Sequence, residues 1–180
     1  WTVFFVGKRN EGSQGDFPQV IGARPWVAGL DEGWSIAFSG TSGALGSHYA
    51  DGQAGHDVPQ VVSSTPLSLD TFQVWQVEEN RGLGTTAFAV GGVFDRWLYT
   101  PMPVAAIEPT EAVSIGREMG GANTRRASMD LAEVLIYGRV LGAAESDTVA
   151  GYLSGKYALP LVQNVNVAPT AVLTSPVSGA

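Results

Sequence analysis

The sequence predicts an all-β fold of two packed antiparallel sheets with one short C-terminal helix, on three observations. Gly occurs 23 times and Pro 10 times, and both recur at short intervals along the chain. Between them lie brief runs rich in Val, Ile, Phe, Trp and Thr, the residues that suit a pleated, half-buried surface. Only one segment, close to the C-terminus, carries a three-to-four-residue apolar period.

In chain order, candidate strands cover residues 1–8, 17–23, 34–39, 60–64, 70–78, 85–90, 112–116 and 129–137. Turn-rich segments such as Asn10-Glu11-Gly12-Ser13-Gln14-Gly15 join them. Eight strands fit a two-sheet sandwich. In 70–78, alternation sends Phe72 and Val74 to one face and Gln73, Trp75 and Val77 to the other, so neither face is purely polar and the strand is expected to be central. In 129–137, Met129, Leu131, Glu133, Leu135 and Tyr137 oppose Asp130, Ala132, Val134 and Ile136, again with apolar residues on both faces. Glu133 is expected to be satisfied by Arg139 or Arg117, since a carboxylate among apolar neighbours needs a partner.

The helical segment spans 143–157, where Val149, Tyr152, Leu153 and Lys156 or Tyr157 recur at helical spacing. Gly142 falls at the N-cap and Glu145 at N3, a capping box that lacks the N-cap side chain. Leu159-Pro160 closes it. Gly151 and Gly155 each cost about 1 kcal/mol relative to Ala, so this helix must rely on packing. The domain is expected to end near Leu161. Residues 162–180 are uncharged and read as a connector, with 169–176 resembling the first strand of an immunoglobulin-like module. The chain therefore reads as part of a longer multidomain protein.

Charge narrows the function classes. Ten Lys+Arg stand against 17 Asp+Glu, a formal net charge of −7, with a sequence pI near 4.7. Nucleic acid is not an expected partner, because phosphate neutralisation needs clustered cations and the only adjacent basic pairs are Lys8-Arg9 and Arg125-Arg126. No membrane insertion is expected, since no apolar run approaches about 18 residues. There is no cysteine, which removes disulfides, thiolate zinc sites and cysteine nucleophiles.

The block Met129-Asp130-Leu131-Ala132-Glu133-Val134-Leu135-Ile136-Tyr137-Gly138-Arg139-Val140-Leu141 precedes Ala143-Ala144-Glu145 and Tyr152-Leu153-Ser154-Gly155-Lys156-Tyr157. Together they resemble the closing strand, Arg-x-Leu turn and "Ala-Glu … Tyr-Leu-x-x-Lys-Tyr" helix of bacterial laminin-G-like jelly rolls, in the concanavalin A-like lectin and glucanase superfamily. Phe72-Gln73-Val74-Trp75 and Val113-Ser114-Ile115-Gly116 resemble two further strands of that family. Met129, Gly142 and the segment 95–101 depart from its pattern. The resemblance implies a jelly-roll sandwich over residues 1–161, secreted or displayed on a bacterial surface. It also implies glycan or cell-surface polysaccharide as partner, alongside neighbouring domains of the same chain.

Chemistry-bearing clusters are then few. Glucanases of this superfamily place carboxylates at alternating positions on one strand. Asp130 and Glu133 are three apart, and Glu78 and Glu79 are adjacent, so both pairs point to opposite faces and no catalytic residue is assigned. Gly82-Leu83-Gly84-Thr85-Thr86-Ala87 matches a dinucleotide fingerprint in letters only, because a strand follows it, and it reads as a hairpin turn. Ser42 lacks the glycine spacing of a nucleophile elbow. The segment 48–57 collects His48, Asp51, His56 and Asp57 in what reads as an exposed loop. Ca²⁺ is the metal the resemblance favours, with Asp51, Asp57 and Asp16 as ligands. Sugars are apolar on their faces and polar at their rims, so aromatic rings beside Arg, Asn, Asp or His make binding sites for them. On that ground Arg96, Trp97 and Tyr99, with Asn123 and Arg125 from a second loop and His48 and Tyr49 from the first, are the candidate ligand-binding residues. The expected function is a non-catalytic carbohydrate-binding or adhesive module. The alternative is a spacer or protein-interaction module or, less favoured, a lyase or hydrolase domain.

Overall fold

The structure, a computed structural model, describes residues 1–23, 32–40, 42–51, 58–90, 93–98, 112–118 and 125–160. In chain order the strands are β1 (Thr2–Arg9), β2 (Gln19–Ala23), β3 (Glu32–Phe38), β4 (Ala44–Asp51), β5 (Val58–Pro66), β6 (Gln73–Asn80), β7 (Thr85–Val90), β8 (Val93–Leu98), β9 (Ser114–Ile115) and β10 (Met129–Tyr137), followed by helix α1 (Ala143–Tyr157). They pair as two five-stranded sheets, β10-β1-β6-β7-β8 and β5-β4-β3-β2-β9, antiparallel throughout. The two-sheet sandwich with its single helix is thus present as the sequence predicts. The expected connector and immunoglobulin-like strand, 162–180, lie outside the described residues.

Two strands were not expected. Half of β4 is Ala, Gly and Ser, residues with weak β propensity, and the strand is held by pairing with β3 on one side and β5 on the other. His48 and Asp51 therefore belong to a strand, a correction to the loop expected over 48–57; the remainder, 52–57, lies outside the described residues. β8 carries Asp95 and Arg96 and forms the edge of the first sheet, where charged residues are common.

Alternation explains why several strands are apolar on both faces. One set of residues from the first sheet, Val3, Phe5, Trp75, Val77, Phe88 and Val90, packs between the sheets against Val20, Ile36, Phe38 and Leu45. The opposite set, Phe4, Val6, Val74 and Ala89, lies in a second cluster with Leu141 and with Ala150 and Leu153 of α1. The first sheet is therefore covered on both sides. β6 is central, between β1 and β7, as its pattern requires. β10 is an edge strand instead, and its Ile136 is 55% exposed.

Helix α1 starts with half a capping box. The Gly142 N–H donates to Glu145 Oε2 at 2.9 Å, while Gly142 has no side chain to return the bond. Arg139 completes the corner with a fork on Glu145, at 2.8 and 2.6 Å. Lys156 Nζ reaches Glu133 Oε2 at 2.9 Å, tying the last turn to β10. The partner of Glu133 is thus Lys156, not Arg139 or Arg117; the helix returns across β10 and brings its own cation. The Arg139 fork, with the Gly142 amide second, lowers the Glu145 carboxyl to about 2. A depressed carboxyl stabilises the fold above its unfolded pKa, and that contribution is lost as pH falls toward 2. Helical circular dichroism at 222 nm should therefore decline between about pH 4 and pH 2, and an E145Q variant should lack this phase.

Candidate ligand-binding site

The outer face of the first sheet carries a recess where α1 leaves part of the sheet uncovered. Alternation sends Glu78 and Asn80 of β6, Thr85 of β7 and Phe94 and Arg96 of β8 to that face. The register places Glu78 opposite Ala87, and Ala87 opposite Arg96. The carboxylate and the guanidinium therefore stand two strands apart, about 10 Å between backbones, over a residue with only a methyl side chain. Val140, Leu141, Ala143 and Ser146 form the facing wall, and Leu83 of the β6–β7 turn forms the rim; the cavity measures about 220 Å³.

The lining is mixed in the way a polyhydroxylated ligand requires. Arg96 brings a guanidinium fork, and its Cζ lies 5.5 Å from the Phe94 ring centroid. Glu78 supplies acceptors. Asn80 Oδ1 is used by the Leu83 N–H at 3.2 Å, which orients the side chain and leaves its NH₂ group as a donor. Gln76 donates to the Ser146 hydroxyl at 3.4 Å, fixing the helix against the sheet beside the recess. The turn between β6 and β7 is short because Gly84 adopts a left-handed conformation, φ 62°, so the segment expected as a hairpin turn is one.

Burial pushes the Glu78 carboxyl up, and the nearby Arg96 pulls it back only in part. A raised carboxyl favours folding below its unfolded pKa, and that advantage disappears as pH rises through its folded value. Ionised Glu78 is therefore a cost at neutral pH, the kind of charge retained where a ligand uses it. E78Q should melt higher than the wild type at pH 7, with the gap closing below about pH 4; thermal melts at the two pH values test this.

Of the ligand-binding residues expected from sequence, Arg96 alone lines this recess among the described residues. Trp97 projects to the opposite face of β8, beside Thr86. Its indole N–H donates to the Val62 carbonyl at 2.8 Å, and Asp95 accepts from the Ser64 amide, so these two side chains clip β8 to β5 and close one side of the sandwich. Trp97 remains 45% exposed. Tyr49 is buried between the sheets; the Arg81 guanidinium covers its ring at 3.9 Å and donates to its hydroxyl at 2.6 Å. His48 projects from the other face of β4, opposite Ser35. Arg125 Nε lies 3.8 Å from Glu118 Oε2. Tyr99 and Asn123 lie outside the described residues.

The expected calcium ligands are not brought together among the described residues. Asp16 is exposed in the β1–β2 connection, its carbonyl accepting the Gly40 N–H at 2.7 Å. Asp51 ends β4, and Asp57 lies outside the described residues. No three His, Asp or Glu side chains converge among the described residues. On β10 the two carboxylates are each matched to a lysine: Asp130 with Lys8 at 2.8 Å, Glu133 with Lys156 at 2.9 Å. Those hydrogen bonds lower both carboxyls, opposite to what a general acid needs.

No family model matches the sequence, and no curated protein matches it. Solved structures do match in fold. The CBM40 of the Ruminococcus gnavus IT-sialidase bound to α2,3-sialyllactose superposes with a TM-score of 0.63 at 9% identity, covering 80% of this chain and 78% of that one. The same module bound to α2,6-sialyllactose gives 0.57 at 10% identity, covering 80% and 79%. The leech intramolecular trans-sialidase complexed with 2,7-anhydro-Neu5Ac gives 0.63 at 11% identity, over 80% of this chain but 22% of that one. At these identities the likeness is one of fold, a lectin-like β-sandwich.

Proposed function

We propose that this domain is a non-catalytic carbohydrate-binding module of a larger secreted bacterial protein, and that the recess between β6–β8 and α1 is its glycan site. The observation that carries this reading is the lining of that recess, where the Arg96 fork, the Glu78 carboxylate and the Asn80 amide surround an aromatic edge on a rigid sheet. Such a surface offers donors and acceptors to hydroxyls and an apolar patch to a sugar's CH face. At about 220 Å³ it falls below the roughly 300 Å³ at which drug-sized pockets begin, so it suits a terminal sugar residue more than an oligosaccharide. That the solved modules sharing this fold hold sialyllactoses supports a sugar with a carboxylate for Arg96 to receive.

Calorimetric titration with 3′-sialyllactose, 6′-sialyllactose and lactose tests the proposal, run with calcium and again with chelator. Saturable binding of a sialyllactose, stronger than that of lactose, is the expected result. Silence with all three sugars in both conditions would favour the alternative of a spacer or protein-contact module. One observation favours that second reading: Val93 and Leu98 on the edge strand β8 are 46% and 78% exposed, as in a strand that docks on a partner.

A further inference from the structure

We propose that a second cavity, at the opposite end of β1 from the first, is a binding site for a hydroxylated monocarboxylate of the uronic acid type. This cavity of about 370 Å³ is lined by Arg9, Asn10, Ser13, Phe38, Ser39 and Leu69, among others. It opens where the end of β1 meets the second sheet. Glu78 pairs with Thr2 at the start of β1 and Arg9 is its last residue, so the two sites lie roughly 20 Å apart by strand rise.

The cation here is not spent on the protein. Arg9 is half-buried, and the single hydrogen bond of its side chain among the described residues is a long one, from Nη2 to the Leu67 carbonyl at 3.5 Å. Its Nε is buried without a partner. By contrast Lys8, Arg125, Arg139 and Lys156 each have a carboxylate within ion-pair distance. The fold makes room for the guanidinium: Gly43 has φ 68°, and a Cβ there would collide with it. A half-buried guanidinium with donors to spare is matched by a carboxylate, which takes two of them side by side.

The rest of the lining suits the hydroxylated part. Asn10 hydrogen-bonds Asp130 through its side chain, while its Oδ1 is buried without a partner. The Ser13 hydroxyl accepts the Ser128 N–H at 2.9 Å and keeps its own proton to donate. Phe38 and Leu69 provide an apolar wall. Glu11 at the rim disfavours a dianion, so the carboxylate of a sugar acid fits better than a phosphate.

The test is a two-dimensional ¹⁵N–¹H titration of the protein with D-glucuronate and, in parallel, with D-glucose. Glucuronate should shift the amides of residues 9–15 saturably, and glucose should not. R9A should weaken glucuronate at least about tenfold. R9K keeps the charge and packs similarly but loses the fork; it should remain folded and still bind several-fold more weakly. R96A should leave the effect unchanged, which separates this site from the recess on β8. No saturable shift in the wild type, equal shifts with glucose, unaltered binding by both R9A and R9K, or loss of the shifts in R96A would each overturn the proposal.

Discussion

Trp75→Ala should cost about 3–5 kcal/mol, the range for truncating a fully buried aromatic. Trp75 is 0% exposed and touches both layers of the sandwich. Its ring centroid lies 6.0 Å from that of Phe5 within its own sheet and 5.8 Å from that of Phe38 across the interface, edge to face. Gly7 is part of the same fit, since a Cβ there would stand 2.8 Å from the Trp75 ring and from Leu131. Removing the indole leaves a void that neither sheet can close without breaking its own ladder. Against a typical net stability of roughly 5–15 kcal/mol, such a loss leaves a largely unfolded or barely folded protein. W75F should lose much less, because it keeps one ring and removes an indole N–H that is buried without a partner. Urea denaturation followed by circular dichroism at 218 nm measures both. A Trp75→Ala midpoint close to the wild type would show that this ring does not join the two sheets.

Arg96→Ala should reduce affinity for a sialyllactose by roughly 10- to 100-fold, the range for losing hydrogen bonds to a charged group. Stability should scarcely change, because Arg96 is exposed and its side chain makes no hydrogen bond among the described residues. Trp97→Ala should behave in the opposite way. Its indole is bonded to the Val62 carbonyl across the sandwich, so its loss should lower the melting temperature with little effect on binding in the recess. Measuring both variants by calorimetry and thermal melts separates the two sides of β8. Equal binding losses in both would mean that the ligand wraps over the edge of the sheet.

Much of the architecture was legible because hydrophobic periodicity is local. The bounds of β7, β10 and α1 coincide with the expected ones, and Gly142 and Glu145 hold the cap positions their spacing indicated. β4 was illegible for a physical reason: its Ala, Gly and Ser carry almost no strand signal, and its conformation is imposed by two neighbours. The site was legible only at Arg96. Its companions Glu78, Asn80, Thr85 and Phe94 come from the consecutive strands β6, β7 and β8, where strand register decides which side chains share a face, and Ser146 comes from α1, distant in sequence. Glu78 did leave a trace, since it shares the strand face of Val74 and Gln76 and so ends a mostly buried row with a carboxylate. Trp97 drew attention through its charged neighbours, but strand alternation sends Arg96 and Trp97 to opposite faces, so their adjacency in sequence separates them in space. Its indole serves the contact between sheets.

An amide chemical-shift map of the ¹⁵N-labelled domain titrated with 3′-sialyllactose locates the glycan site residue by residue. Saturable shifts should cluster at Glu78, Asn80, Thr85, Phe94, Arg96 and Ser146. Shifts confined to the outer face of the second sheet, around Ser35 and His48, or none anywhere at saturating sugar, would contradict this placement.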